Sequence, residues 1–126
     1  MTRTWLALLA AIGTAARSSG PVECAPSNDP AVALRPVDAG SSAPLAGLAI
    51  GTTGFGGYTD SLKAGPDIYA GPDSLRGGLR EGTYSIHVEV AGYAPFDTAG
   101  VVVGLTPGAC RELVTQRFTA RLTALP

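Results

Sequence analysis

One histidine and two cysteines are all that this 126-residue chain offers as imidazole or thiolate ligands. His87, Cys24 and Cys110 are too few and too far apart for a metal cluster, which needs three or four donors at short spacings, so neither a metal nor a cofactor is expected. No Gly-x-Ser-x-Gly elbow exists for a hydrolase nucleophile. The glycine-rich run GTTGFGG at 51–57 lacks the Lys-Ser/Thr ending and the following helix of a phosphate loop, and reads as hairpin chemistry. Charge of one sign is also missing. Nine basic residues, scattered along the chain, stand against ten acidic ones, and a net charge of -1 gives nothing to draw in nucleic acid. No apolar run approaches the ~20 residues of a membrane-spanning helix, so the mature chain is expected to have no transmembrane segment. Helical periodicity is absent as well.

What is present is glycine, 17 residues, and proline, 10, in a chain that is 45% apolar. That composition suits one packed all-β domain interrupted often by turns. The first residues stand apart. Arg3 precedes an apolar run from Trp5 to Gly13 that ends in small residues through Ala16, the layout of a secretory signal cleaved after Ala16. The predicted organisation is a signal peptide at 1–16, a flexible lead-in at 17–29 containing Cys24, and a β domain at 30–126. The expected location is secreted or periplasmic.

Export makes a Cys24 to Cys110 disulfide available, since an oxidising compartment permits it. The alternative is a lipidated Cys24, but Glu23 stands where a lipoprotein signal has a small residue, and the expected Leu is missing.

Alternating side chains predict the strands. Val32 and Leu34 alternate in a first strand, where Pro36 removes a ladder donor and argues for an edge or a bulge. Ala46, Leu48 and Ile50 share a face of the next, and a hairpin leads to a strand with Tyr58 and Leu62 on one side. Lys63 to Glu81 has no sustained period and reads as a long structured loop, in which Asp67 and Asp73 serve as turn formers rather than calcium ligands. In EGTYSIHVEV, Tyr84, Ile86, Val88 and Val90 point inward, and Ser85, His87 and Glu89 outward. Val101, Val103 and Leu105 form a partner face. The last strand begins at Cys110 and turns Val114, Phe118, Ala120 and Leu122 inward, with Thr115, Arg117, Thr119 and Arg121 outward. Six or seven short strands without a helix make a two-sheet sandwich the simplest way to bury these faces, with a closed barrel second.

The order DAGSSAPLAG, GGYTDSL, EGTYSIHVEVAGY, VVVG and LVTQRFTARL, across Pro30 to Leu122, resembles the carboxypeptidase regulatory-like domain. The resemblance implies a transthyretin-like, seven-stranded Greek-key β-sandwich of the type found in secreted bacterial proteins, and an accessory or interaction role. Gly82 and Gly92 bracket the strand as structural turn positions where positive backbone angles are expected, and Tyr93 lays its ring over the end of the core. Transthyretin-like hydrolases of 5-hydroxyisourate use several histidines and a C-terminal Tyr-Arg-Gly-Ser, whereas this chain has only His87 and ends TARLTALP.

No catalytic residue is therefore expected. Ser85 and Glu89 flank His87 on one strand face, but side chains two residues apart stand parallel, about 7 Å from each other, instead of converging. Arg117 and Arg121 make a candidate binding patch, with a solvated strand face as the alternative. The expected function is an exported, non-catalytic module binding an unknown protein or carbohydrate partner at the cell envelope. Hydrolase activity of another type, or a structural envelope lipoprotein, are the alternatives.

Overall fold

The computed structural model describes residues 23–24, 28–67 and 69–126. The expected signal peptide and most of the lead-in lie outside the described residues. Seven strands carry the fold: β1 (Val32–Asp38), β2 (Ala49–Phe55), β3 (Tyr58–Asp67), β4 (Gly71–Gly77), β5 (Gly82–Val90), β6 (Phe96–Val103) and β7 (Gln116–Leu122). The only helical element among the described residues is a 3-10 turn, Ala46–Leu48.

The strands form one mixed sheet in the order β6-β5-β2-β3-β4-β1-β7. Every pairing is antiparallel except β1 with β7, which run parallel from Val32 opposite Gln116 to Asp38 opposite Leu122. The sheet curls until its ends nearly meet, as in a barrel. Where β6 and β7 approach, the rings of Phe96 and Phe118 are 6.4 Å apart. The chain after β7 then ties down the β5–β6 turn: Ala94 N–H donates to Thr123 O and Leu125 N–H to Gly92 O, both at 2.9 Å.

The curl turns on β3. Tyr58 to Leu62 pair with β2, whereas Lys63 to Asp67 pair with β4. Leu62 sits at this corner between two glycines. A Cβ on either Gly51 or Gly77 would fall 2.8 Å from its methyl groups, too close for van der Waals contact. Inside, Leu34, Leu75, Tyr84, Ile86, Val88 and Leu122 are fully or almost fully buried, and burial of such side chains contributes roughly 1.5–3 kcal/mol each. The β5 alternation is as the sequence indicates, with Tyr84, Ile86, Val88 and Val90 buried.

Several expectations need correction. Lys63 to Glu81 is mostly the β3–β4 hairpin rather than a long loop; a register shift between Gly65 and Asp67 breaks the side-chain alternation that would have revealed it. Leu48 and Ile50 are not core residues, being 72% and 73% exposed. The 3-10 turn resets the chain so that Leu45, Ala46, Gly51 and Thr53 face in. β1 is not an edge strand, yet Pro36 is tolerated. β4 covers only Val32 to Leu34, and Pro36 meets its neighbours on that side through its carbonyl, which accepts from Leu45 N–H at 2.9 Å. Cys110 lies in the loop between β6 and β7, and β7 starts only at Gln116. Val114 is exposed, because residues 104–114 form a small separate ladder, with Leu105 opposite Leu113.

Candidate functional site

Cys24 and Cys110 form a disulfide with Cα atoms 5.4 Å apart, and no described cysteine is free. The bond joins the lead-in to the β6–β7 loop across 86 residues of sequence. A hollow of about 1130 Å³ lies beside it, with Arg80, Glu81, Arg111 and Glu112 among its walls.

Gly92 has φ +86°, in the left-handed region, and closes the turn after β5. Gly82 differs: its φ of +159° is close to extended. Its need for glycine comes from the Phe55 ring, which a Cβ would meet at 2.4 Å. Phe55, Tyr58 and Tyr84 form an aromatic cluster there, with Phe55 edge-on to Tyr84 at 5.0 Å. The Tyr84 hydroxyl donates to Arg80 O at 2.6 Å, and Leu79 N–H donates to the Tyr58 hydroxyl at 2.8 Å, so the loop before β5 rests on these rings. Tyr93 packs against the core, and its hydroxyl donates to Asp38 Oδ2 at 2.7 Å. With backbone N–H bonds from Ser41 and Gly40, this bond holds the Asp38 carboxyl down at about 2.

His87 lies on the outer face of β5, beside an open groove of about 600 Å³ whose lining includes Thr52, Gly54, Ser85, Asp97 and Thr98. Register sets Thr52 of β2 and Asp97 of β6 opposite His87. His87 Nδ1 lies 2.5 Å from Asp97 Oδ1, and Nε2 lies 3.3 Å from Glu89 Oε2. The hydrogen bond to Asp97 pushes the imidazole pKa up, and the Glu89 bond adds to it. Both ring nitrogens thus face carboxylates; contrary to the expectation of parallel, non-converging neighbours on one strand, the long Glu89 side chain reaches His87, whereas no hydrogen bond joins the imidazole to Ser85 among the described residues. Sequence reasoning missed Asp97; only the register of the β5–β6 hairpin pairs it with His87.

The outer face of the other half of the sheet has the opposite character. Lys63 of β3 is opposite Arg76 of β4, and Ala33 of β1 lies between Arg76 and Arg117 of β7. Arg35 and Arg121 follow on the same faces of β1 and β7, since side chains repeat every second residue. Asp67, at the end of β3, is 4% exposed and ties this surface together. Its Oδ2 accepts from Arg117 Nε at 2.8 Å, Ala70 N–H at 2.8 Å and Tyr69 N–H at 3.1 Å. The Arg117 bond is the main reason that its carboxyl is held down at about 2. The Arg117 guanidinium also stacks 4.7 Å over the Tyr69 ring. Arg76 Nε is 4.0 Å from Asp67 Oδ1, and this buried nitrogen has no hydrogen-bond partner among the described residues. Asp67 is therefore a turn former and a salt-bridge partner at once. Asp73, on β4, is exposed.

Among the described residues, no group of three or more His, Cys, Asp or Glu side chains is arranged to hold a metal ion. No helix there is long and apolar enough to cross a membrane. No family model matches the chain, and no curated protein does either.

Proposed function

We propose that this chain is an exported, non-catalytic binding module at the cell envelope, with the carboxypeptidase regulatory-like, transthyretin-like Greek-key sandwich as its architecture. Division of β3 between β2 and β4 supports two layers, β6-β5-β2-β3 and β3-β4-β1-β7, facing each other over one core. The Cys24–Cys110 bond supports an oxidising destination, and it occupies the sulfur that lipidation would need.

The observation that carries the non-catalytic reading is the state of His87. A general base needs a nitrogen free to take a proton from a nucleophile, and here each nitrogen is turned to a carboxylate on an open strand face. What remains is a rigid scaffold with polar outer faces, suited to binding a protein or a carbohydrate.

Two measurements test this reading. Intact mass of material recovered from the periplasm or medium, with and without reductant, is expected to give a chain beginning at Arg17, without an acyl group, gaining two thiols only on reduction. A retained N-terminus or an acylated Cys24 overturns the export and disulfide assignment. Purified protein is expected to co-sediment with envelope material from its own organism; protein that stays entirely in the supernatant overturns the binding role.

A further inference from the structure

The net charge of -1 conceals a separation of charge. Of the nine basic residues, Arg3 and Arg17 lie outside the described residues. Five of the other seven, Arg35, Lys63, Arg76, Arg117 and Arg121, come from four adjacent strands and share one sheet face. β2, β5 and β6 carry no lysine or arginine at all, and their outer face presents Glu89 and Asp97. Of the acids on these strands, Asp67 lies on the basic face and offsets one of the five charges through Arg76 and Arg117. Asp38 and Asp60 fall on the inward-facing positions of β1 and β3, in phase with Leu34 and Leu62, and Asp73 lies near the β3–β4 turn, so the face keeps an excess of positive charge.

The dimensions follow from strand geometry. Lys63, Arg76, Ala33 and Arg117 lie in one row across four strands, roughly 14 Å at ~4.8 Å per strand. Arg117 to Arg121 extends roughly 13 Å along β7 at ~3.3 Å per residue. The result is a broad, shallow field of positive charge, with the guanidinium of Arg117 fixed by Asp67 and Tyr69.

We propose that this face binds a linear acidic polysaccharide, a glycan whose anionic groups recur along the chain. This deepens the binding-module reading and rests on it. The surface suits that occupant better than a protein. A protein interface needs a desolvated apolar centre, but the exposed Leu48, Ile50, Leu79, Val102, Val114 and Leu125 all lie on other elements or loops. Here the exposed large side chains are basic, apart from Tyr69, whose ring offers a stacking surface. Guanidinium groups and the Thr119 hydroxyl on an open, convex strand face can follow a flexible polyanion without a preformed cleft.

The test uses the full domain with sodium polygalacturonate as the probe, uncharged dextran and duplex DNA as comparisons, and calorimetry at low and high salt. Wild-type protein is expected to bind polygalacturonate at low salt and to lose about tenfold or more in affinity as added salt screens the contacts. The triple variant Arg35→Gln, Lys63→Gln, Arg121→Gln changes three exposed residues outside the Asp67 network, so the fold is retained; circular dichroism checks this. It is expected to bind at least about tenfold more weakly at low salt. The control pair Arg80→Gln, Arg111→Gln, off this face, is expected to stay within about twofold. The proposal is overturned by equal affinity in the triple variant, by equal binding of dextran, by DNA binding as tight as polygalacturonate, or by low-salt self-association that the triple variant abolishes. Envelope co-sedimentation is scored separately. If the triple variant still pellets with envelope material, the binding-module reading stands and this face is removed from it.

Discussion

His87 illustrates how a single exposed side chain acquires a pH signature. Its folded pKa is raised above the ordinary 6.5 by Asp97 first and Glu89 second. The stabilisation from protonated His87 is therefore fully present below about pH 6.5 and is lost as pH rises through the folded value. Asp97→Asn is expected to bring the His87 titration, followed by NMR, back down toward 6.5. Asp67 has the opposite sign. Its carboxyl, held down from 3.8 to about 2, contributes stability that is present above about pH 4 and lost as pH falls toward 2. Asp67→Asn is expected to flatten that acid limb and to lower unfolding free energy by about 2 kcal/mol in denaturant titrations, since it removes a charged hydrogen bond to Arg117. Gly78 has φ +88°, and a Cβ there would meet Ala31 at 2.7 Å and the Tyr84 hydroxyl at 2.9 Å. Gly78→Ala is accordingly expected to destabilise by roughly 1–3 kcal/mol in the same assay. None of these three assignments follows from local sequence alone, because the principal partner of each, Asp97 for His87, Arg117 for Asp67 and Ala31 for Gly78, arrives from another segment of the chain.

At the scale of elements, β5 was the most legible part of the chain, since strict alternation and burial on one face leave a single register. At β2 the sequence pattern misleads for a local reason. LAGLAI alternates as a strand would, but its first half is a 3-10 turn, and a change of phase by one position exchanges inside for outside. The β3–β4 hairpin was hidden by glycine, proline and the register shift before Asp67, which removed the period that a strand normally displays. The disulfide was legible from export chemistry, although its Cys110 end is in a loop. It closes a segment of 86 residues, and on the chain-entropy account a loop of that length is worth about 4 kcal/mol. The double variant Cys24→Ala, Cys110→Ala is expected to lower the denaturation midpoint by a comparable share of the stability. Removing residues 123–126 is expected to speed hydrogen exchange at Ala94, whose N–H is bonded to Thr123 O.

For the whole molecule, the distribution of charge matters more than its sum. A protein of net charge -1 is expected to pass through a cation exchanger at neutral pH. With Arg35, Lys63, Arg76, Arg117 and Arg121 on one face, retention at low salt and release by moderate salt are expected instead. Arg35→Gln with Lys63→Gln and Arg121→Gln should run through the same column unretained. Retention of that variant would mean that the column sees some other part of the surface.

Composition and period settle what neighbouring residues decide between themselves: an all-β chain, the inward face of β5, and a pair of cysteines fit for oxidation. Those properties depend on solvent preference and backbone stereochemistry, which act over a few residues. The meeting of Arg117 with Asp67, of His87 with Asp97, and of five basic side chains on one face depends on strand order and register across distant segments. Only the curled sheet decides these, because Arg117 lies 50 residues from Asp67 along the chain, and His87 meets Asp97, ten residues on, only through the register in which β5 and β6 pair.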